Sequence, residues 1–301
     1  MRVTVLLGGP SSEREVSLVS GNAVADALVE AGHDVFRSDI SPANLTALDR
    51  ACDVIFPVLH GEFGEDGQLQ KHLEARKIPF VGSGSRASSI AIDKLATKKI
   101  WRANGLPTPA YQIADRNDPS TGSIDGPCVV KSIRGGSSIG VTLFRNGVET
   151  KTLECIERLI ESEGIALVEE LIDGVELTVG NLNGVALAPI RIVYDDGFFD
   201  YDAKYSANGA GHSFDTTLDH SLVKTIRESA EKAHELVGAR DLSRTDVMVD
   251  RSGKFYLLEI NTMPGFTPRS LLPEAAAHSG VPFVQLVDQL VKTAFARGGE
   301  A

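Results

Sequence analysis

The chain has 301 residues, 42% of them hydrophobic and 24% charged, ordinary proportions for a globular protein but more length than one core usually takes. A formal net charge of −11 argues against nonspecific binding to nucleic acid or to an anionic membrane, while leaving room for a local basic cleft. No run approaches the ~20 apolar residues that span a bilayer, "MRVTVLLGG" lacks a secretory pattern, and Cys52, Cys128 and Cys155 have neither zinc nor redox spacing, so a reduced, cytoplasmic protein is expected.

Val3, Val5, Leu6 and Leu7 predict a buried strand over 3–7, ended by a Gly-Gly-Pro turn. A helix over 13–31 should follow, with Ser12 and Glu15 as a capping box and Val16, Val19, Ala23 and Ala27 as its recurring apolar positions. Strands over 34–38 and 53–58, a helix near 67–76 and a further strand at "IPFVG" continue an alternation that spells a doubly wound parallel α/β domain. The turn formers of "DRNDPSTGSIDGP", 115–127, precede the strand "CVVKSI", and a boundary falls between residues 85 and 127. Beyond it the strands come in hairpins, "VYDDGFFDY" turning at Asp196-Gly197 and "DVMVDRSGKFYLLEIN" at Ser252-Gly253. Helices are predicted at about 149–163, 219–238 and 283–296.

Four stretches have the composition of a site. "KSIRGGSSIG", 131–140, sets Lys131 at a strand end before glycines and serines, whose closely spaced N–H groups and hydroxyls suit a phosphate. In "DVMVDRSGKFYLLEIN" alternation puts Tyr256, Leu258 and Ile260 on one face and Glu259 and Asn261 on the other. A two-residue turn pairs Arg251 with Lys254 and so sets Asp246 opposite Glu259, an unfavourable pair unless a cation lies between them; Asp, Glu and Asn oxygens suit Mg²⁺ shared with phosphates. "FPVLHGEFGEDG", 56–67, carries His60 at a strand end facing the same crevice as the opening loop, with Glu65 and Asp66 beyond. "YDAKYSANGAGHS", 201–213, is a small-residue loop suited to closing over a substrate. Each has a structural alternative: a surface loop, a solvated face, a structural histidine, a connection.

In order along the chain, "LLGGPSSEREVSLVSG", "LHGEFGEDGQLQ", "GSGSRASSIAIDK", "VKSIRGGSSIG", "FDYDAKY", "RTDVMVD" and "LLEINTMPGFTPRSLLP" resemble the D-alanine–D-alanine ligases of the ATP-grasp superfamily. The resemblance implies an N-terminal doubly wound domain over 1–88 followed by a two-part ATP-grasp fold of α+β type with antiparallel hairpins, a central part over 89–176 and a C-terminal part over 177–301. It implies ATP as co-substrate and Mg²⁺, two ions with Mn²⁺ as a substitute, at Asp246, Glu259 and Asn261. Lys94, Lys131 and Lys204 would hold phosphates, Glu169 and Leu171 lie along the adenine, and Glu176 take the ribose. Glu15 would receive the first amino acid's ammonium group, with Ser137 and Tyr205 joined to it and His60 nearby; Arg244 and the Gly265 N–H would face the oxyanion, and Ser270 and Leu271 contact the second amino acid.

The implied reaction joins two D-alanines through an acyl phosphate for peptidoglycan precursor synthesis, in a cytoplasmic homodimer with no nucleic-acid or membrane partner. The alternatives are a related ligase using D-serine or D-lactate, against whose lactate form Tyr205 argues, and a nucleotide-binding protein that has lost ligation. The chain departs from the family pattern at "GHSFDTT", 211–217, and at Arg134-Gly135-Gly136.

Overall fold

The computed structural model describes residues 1–120, 122, 124–135, 140–193 and 211–299. Their strands form three sheets drawn from successive stretches of chain. In the first, β1 (Arg2–Leu7) lies between β2 (Asp34–Asp39) and β3 (Val54–Pro57), all parallel. Val3, Val5 and Leu7 point to one side and pack with Val24 and Leu28 of α1 (Arg14–Glu30); Leu6 points to the other, with Leu69 and Leu73 of α2 (Gln68–Ala75). That is the doubly wound arrangement expected from alternation of strand and helix. "IPFVG" contributes only a parallel bridge, Ile55 to Phe80, because Pro79 has no N–H to donate and the chain turns at Gly82, φ +96°.

The second sheet is antiparallel in the order β4 (Tyr111–Asp115), β7 (Ile165–Glu170), β5 (Cys128–Lys131), β6 (Val141–Phe144). It is backed by α5 (Thr150–Glu163), whose start is fixed by reciprocal bonds between Glu149 and Thr152. Two helices lead into it, α3 (Ser85–Ile92) and α4 (Lys94–Ala103), separated at Asp93, which caps α4 by accepting from the Ala96 N–H at 2.8 Å.

The third sheet runs β11 (Gly211–Ser213), β10 (Ile190–Val193), β8 (Gly174–Leu182), β12 (Leu242–Asp250), β13 (Phe255–Asn261), with β9 (Val185–Ala186) beside β8. On one face α6 (His220–Val237) buries Ile226, Ala230 and Ala233 with Trp101 of α4; on the other lies Leu272 of α7 (Leu271–His278). The last helix, α8 (Phe283–Arg297), returns to the first sheet and buries Leu286, Val287, Leu290 and Val291 in its core. The expected hairpin at Asp196-Gly197 lies outside the described residues.

Two local expectations are corrected. The N-cap of α1 is Glu13, with no side-chain capping bond, and Ser12 is exposed. Ser11 replaces it, accepting from the Glu13 N–H at 3.2 Å and donating to the His60 carbonyl at 2.6 Å, which ties the helix start to the loop after β3. The buried face of α1 is Ser17, Ser20, Gly21, Val24, Ala25, Ala27 and Leu28; of the four expected positions Ala27 is buried and Ala23 half-buried, while Val16 and Val19 are 50% and 61% exposed. The reason is hydrogen-bonding demand at the strand ends. Ser17 accepts from the Gly8 N–H and donates to the Val58 carbonyl, and a Cβ on Gly21 would lie 2.5 Å from the Leu7 Cβ, so only glycine allows helix and strand so close.

Candidate active site

One cleft lies between the second and third sheets, lined by Lys94, Lys131, Glu176, Asp246, Glu259 and the 169–175 crossover from β7 to β8. Asp246 and Glu259 stand opposite each other on β12 and β13, as the sequence predicts, although the hairpin reaches that register by another route. Its loop has three residues, Arg251 to Gly253, with Asp250 and Lys254 bonded at 2.8 Å and Gly253 at φ +85°. Left alone, that loop would offset Asp246 from Glu259. An extra residue, Leu258, makes a bulge between the pairs Val247–Leu257 and Asp246–Glu259 and restores the register. In consequence Leu257, not Leu258, joins Ile260 in the core, and Leu258 turns to the cleft beside Glu259.

The carboxylates are matched by cations. Arg244 grips Asp246 with a fork, Nε to Oδ1 and Nη2 to Oδ2, both 2.9 Å, and the Thr178 hydroxyl donates to Oδ1 at 2.7 Å. Burial opposes the charge of Arg244, but Asp246, Glu259 and Glu65 hold the guanidinium protonated. Lys94 Nζ lies 3.3 Å from Glu259 Oε2 and donates to the Gly135 carbonyl at 2.6 Å, joining α4, β13 and the glycine loop after β5. Behind them Glu169 is 1% exposed and holds Lys131 on Oε2 and Lys98 on Oε1, the latter at 2.5 Å. Burial works against this carboxylate's charge, yet the two ammonium groups keep it below the usual carboxylate range. Sequence reasoning passed over Lys98, since a lysine in a helical run reads as solvated.

The other end of the site gathers around His60, which is buried, with Nδ1 3.1 Å from the Met263 carbonyl and 3.8 Å from Glu65 Oε1. Burial lowers its pKa, but Glu65 and Glu13 outweigh that and hold it above the ordinary value. Glu65 also accepts from the Gly61 N–H at 2.6 Å. A Cβ on Gly61 would be strained at φ +69° and would crowd Glu13 Oε2 at 3.0 Å, which shows how closely Glu13 comes in. Glu15, the residue singled out from the sequence, is exposed on α1; the glutamate brought to His60 is Glu13. Gly265 and Ser270 meet, a Gly265 Cβ falling 3.4 Å from Ser270 Oγ, and the Ser270 hydroxyl accepts from the Thr267 N–H at 2.9 Å. The Phe266 N–H donates to Ser20 of α1, docking this loop on the first domain next to Leu271.

Other expected residues are placed as follows. Asn261 Oδ1 accepts from the Met263 N–H at 2.8 Å. The Leu171 N–H is engaged by the Pro127 carbonyl at 3.0 Å, and Glu176 lines the cleft beside Met248, its partner in the ladder. Ser137, Lys204 and Tyr205 lie outside the described residues. Of the departing segment, His212 Nδ1 lies 2.8 Å from Glu274 Oε2, and Phe214 stacks on His278 at 3.7 Å between centroids, so β11 is fastened to α7.

A doubly wound domain joined to two antiparallel sheets that enclose a cation-rich cleft is the architecture of an ATP-grasp protein. Residues 37–83 match the family described as D-ala D-ala ligase N-terminus and residues 100–292 the D-ala D-ala ligase C-terminus, and the chain belongs to this D-alanine–D-alanine ligase family. It is 42% identical over 301 residues to the D-alanine–D-alanine ligase of Acidiphilium cryptum, covering 98% of this chain and 99% of the relative. To that of Gloeobacter violaceus it is 40% identical, covering 97% and 98%. The crystal structure of the D-alanine–D-alanine ligase from Bacillus anthracis superimposes with TM-score 0.88 at 30% identity, over 99% of this chain and 98% of that one; the same enzyme complexed with ATP gives 0.85 at 27%, with the same coverage. Among the described residues no helix is long and apolar enough to cross a membrane.

Proposed function

We propose that this protein is an ATP-dependent ligase that joins two D-alanines into D-alanyl-D-alanine, releasing ADP and phosphate, for peptidoglycan precursor synthesis in the cytoplasm. The observation that carries the reading is the ladder pair Asp246–Glu259 facing Lys94 and Lys131 across one cleft, within a chain related to D-alanine–D-alanine ligases along its whole length. Two carboxylates side by side with an amide oxygen, Asn261, form an all-oxygen set that fits Mg²⁺. When bound there, the ion supplies charge neutralisation to the phosphates.

Lys94 and Lys131 draw the triphosphate into the cleft, with Glu176 toward the ribose and the 169–172 crossover along the adenine. At the far end Glu13, in place of Glu15, takes the ammonium group of the first D-alanine beside His60. The carboxylate of that D-alanine attacks the γ-phosphorus, the β–γ bridge oxygen leaves with ADP, and an acyl phosphate results. The second D-alanine, held by Ser270 and Leu271, gives its ammonium proton to water and attacks the carbonyl carbon as the free amine, and the nitrogen's second proton passes to the departing phosphate. Arg244, already oriented by its fork to Asp246, and the Gly265 N–H stabilise the oxyanion, and phosphate departs as the amide forms. Roles for Ser137, Lys204 and Tyr205, and assembly as a homodimer, follow from the family resemblance. The testing experiment measures phosphate release from ATP with D-alanine, D-serine and D-lactate, alone and in pairs, with chromatography of the products. Release with D-alanine alone, yielding the dipeptide, is expected; none with D-alanine, or a mixed product in preference, would overturn the reading.

A further inference from the structure

Lys98 is the most deeply buried cation among the described residues, 0% exposed, and nothing in the reaction above uses it. It projects from α4 behind the cleft, places Nζ 2.5 Å from Glu169 Oε1 and donates to the Thr108 hydroxyl at 2.8 Å. It does not line the cleft, whereas Lys131, on the other oxygen of the same carboxylate, does. A buried ammonium is costly, and a single Lys131–Glu169 pair would already satisfy the carboxylate's charge. The second lysine changes the electrostatics of what faces the ligand: burial lowers the Lys98 pKa and Glu169 opposes that, and with both lysines protonated the trio carries a net positive charge where one lysine with one carboxylate would be neutral.

We propose that Lys98 is a positioning residue for nucleotide binding: by occupying one oxygen of Glu169 it prevents that carboxylate from neutralising Lys131, and so leaves Lys131 charged toward the triphosphate. Lys98 therefore acts through Glu169 and never touches the nucleotide. The inference rests on the reading of this cleft as the ATP site. A purely structural role, fastening α4 to β7, predicts lost stability without a selective loss of nucleotide, and the two are separable.

The experiment is calorimetric titration of ATP with Mg²⁺ into wild type, Lys98→Met, Glu169→Gln and the double variant Lys98→Met/Glu169→Gln, with thermal melts and the D-alanine KM on the same preparations. Lys98→Met is expected to weaken ATP by roughly tenfold or more, since a charge is lost a few ångströms from Lys131 in a poorly screened interior, with the D-alanine KM within twofold of wild type. Glu169 is itself read as lying along the adenine, so the double variant is compared with Glu169→Gln: with the carboxylate gone Lys98 has nothing to act through, and the two should bind ATP within threefold of each other. Lys98→Met binding within threefold of wild type overturns the proposal, as does a double variant more than threefold weaker than Glu169→Gln. If Lys98→Met does not fold, the comparison of the double variant with Glu169→Gln decides alone, by the same threefold limit. Wild type that binds no ATP would instead overturn the ATP reading of the cleft.

Discussion

The two ends of the site are held by different forces. In the cleft between the second and third sheets charge meets charge: Lys98 and Lys131 on Glu169, Lys94 on Glu259, Arg244 on Asp246. Around His60 one charged pair, His60 with Glu65 at 3.8 Å, sits among groups set mainly by hydroxyls and main chain: Ser11 to the His60 carbonyl, Ser17 between Gly8 and Val58, Ser20 under Phe266, Glu65 on the Gly61 N–H. The difference follows the ligand each end is proposed to take. A polyanion needs a field of cations kept charged and in place before it arrives, whereas a zwitterionic amino acid needs a few groups at fixed positions.

The comparison breaks most plainly at Glu259. Glu259→Gln removes one charge from the cleft and little packing, so activity should fall below a tenth of wild type with an unchanged circular dichroism spectrum; a coupled ADP assay reads it, and higher activity would remove Glu259 from the metal set. At the other end, Glu13→Gln should raise the KM for the first D-alanine by roughly tenfold, as for a lost charge-assisted hydrogen bond, leaving the KM for ATP unchanged. Glu15→Gln should leave both within twofold. Initial rates on the two variants rank the glutamates, and the reverse ranking would return the role to Glu15.

That pair also shows what the sequence could carry. Charged residues on the strands were legible in position: Lys131, Asp246 and Glu259 line the cleft, and Arg244 stands beside Asp246 on β12. Glu13 and Glu15 were not separable, since both stand in the same acidic turn and only the close approach of Gly61 selects one. The first turns of α1 were misread for a physical reason: Val16 and Val19 face out because the inward contacts there are hydroxyls of Ser17 and Ser20 answering main-chain groups, and polar residues at helical spacing carry no periodicity signal; farther on, Ala27 is buried as expected. Lys98 was invisible because its partner, Glu169, is 71 positions away on another element. The hairpin register came out right although the turn was wrong, since a bulge one residue long cancels a loop one residue longer than expected.

A smaller effect is expected where β11 meets α7. His212 on Glu274 and Phe214 on His278 fasten the segment that departs from the family pattern to the helix that begins with Leu271. The pair is partly exposed, and such contacts contribute roughly 0.2–1 kcal/mol. His212→Ala should therefore raise the KM for the second D-alanine about two- to fivefold, without altering nucleotide affinity. An equal rise in both would mean that the clasp serves the fold as a whole and not the amino-acid end.

The smallest effect on catalysis belongs to a group on the face of β12 turned away from the cleft, which makes it the control for pH. His234 on α6 is buried, with Nδ1 2.7 Å from the Ser243 hydroxyl, and burial lowers its pKa from 6.5 to about 4, Asp241 opposing only in part. Because the folded pKa is depressed, the unfolded chain binds this proton first as pH falls. The stabilisation is complete above about 6.5 and is lost progressively down to about 4, below which both states are protonated. The gap corresponds to on the order of 3 kcal/mol. His234→Gln keeps a hydrogen-bonding partner for Ser243 but has no such titration. Its thermal midpoint should fall less steeply than that of wild type between pH 6.5 and 4, with activity at pH 7.5 within twofold of wild type. Parallel slopes would show that another buried group dominates acid unfolding. If the slopes differ as expected, any fall in ATP or D-alanine affinity that wild type and His234→Gln share across that range belongs to the two ends of the site, where cleft and His60 can be told apart by which KM moves.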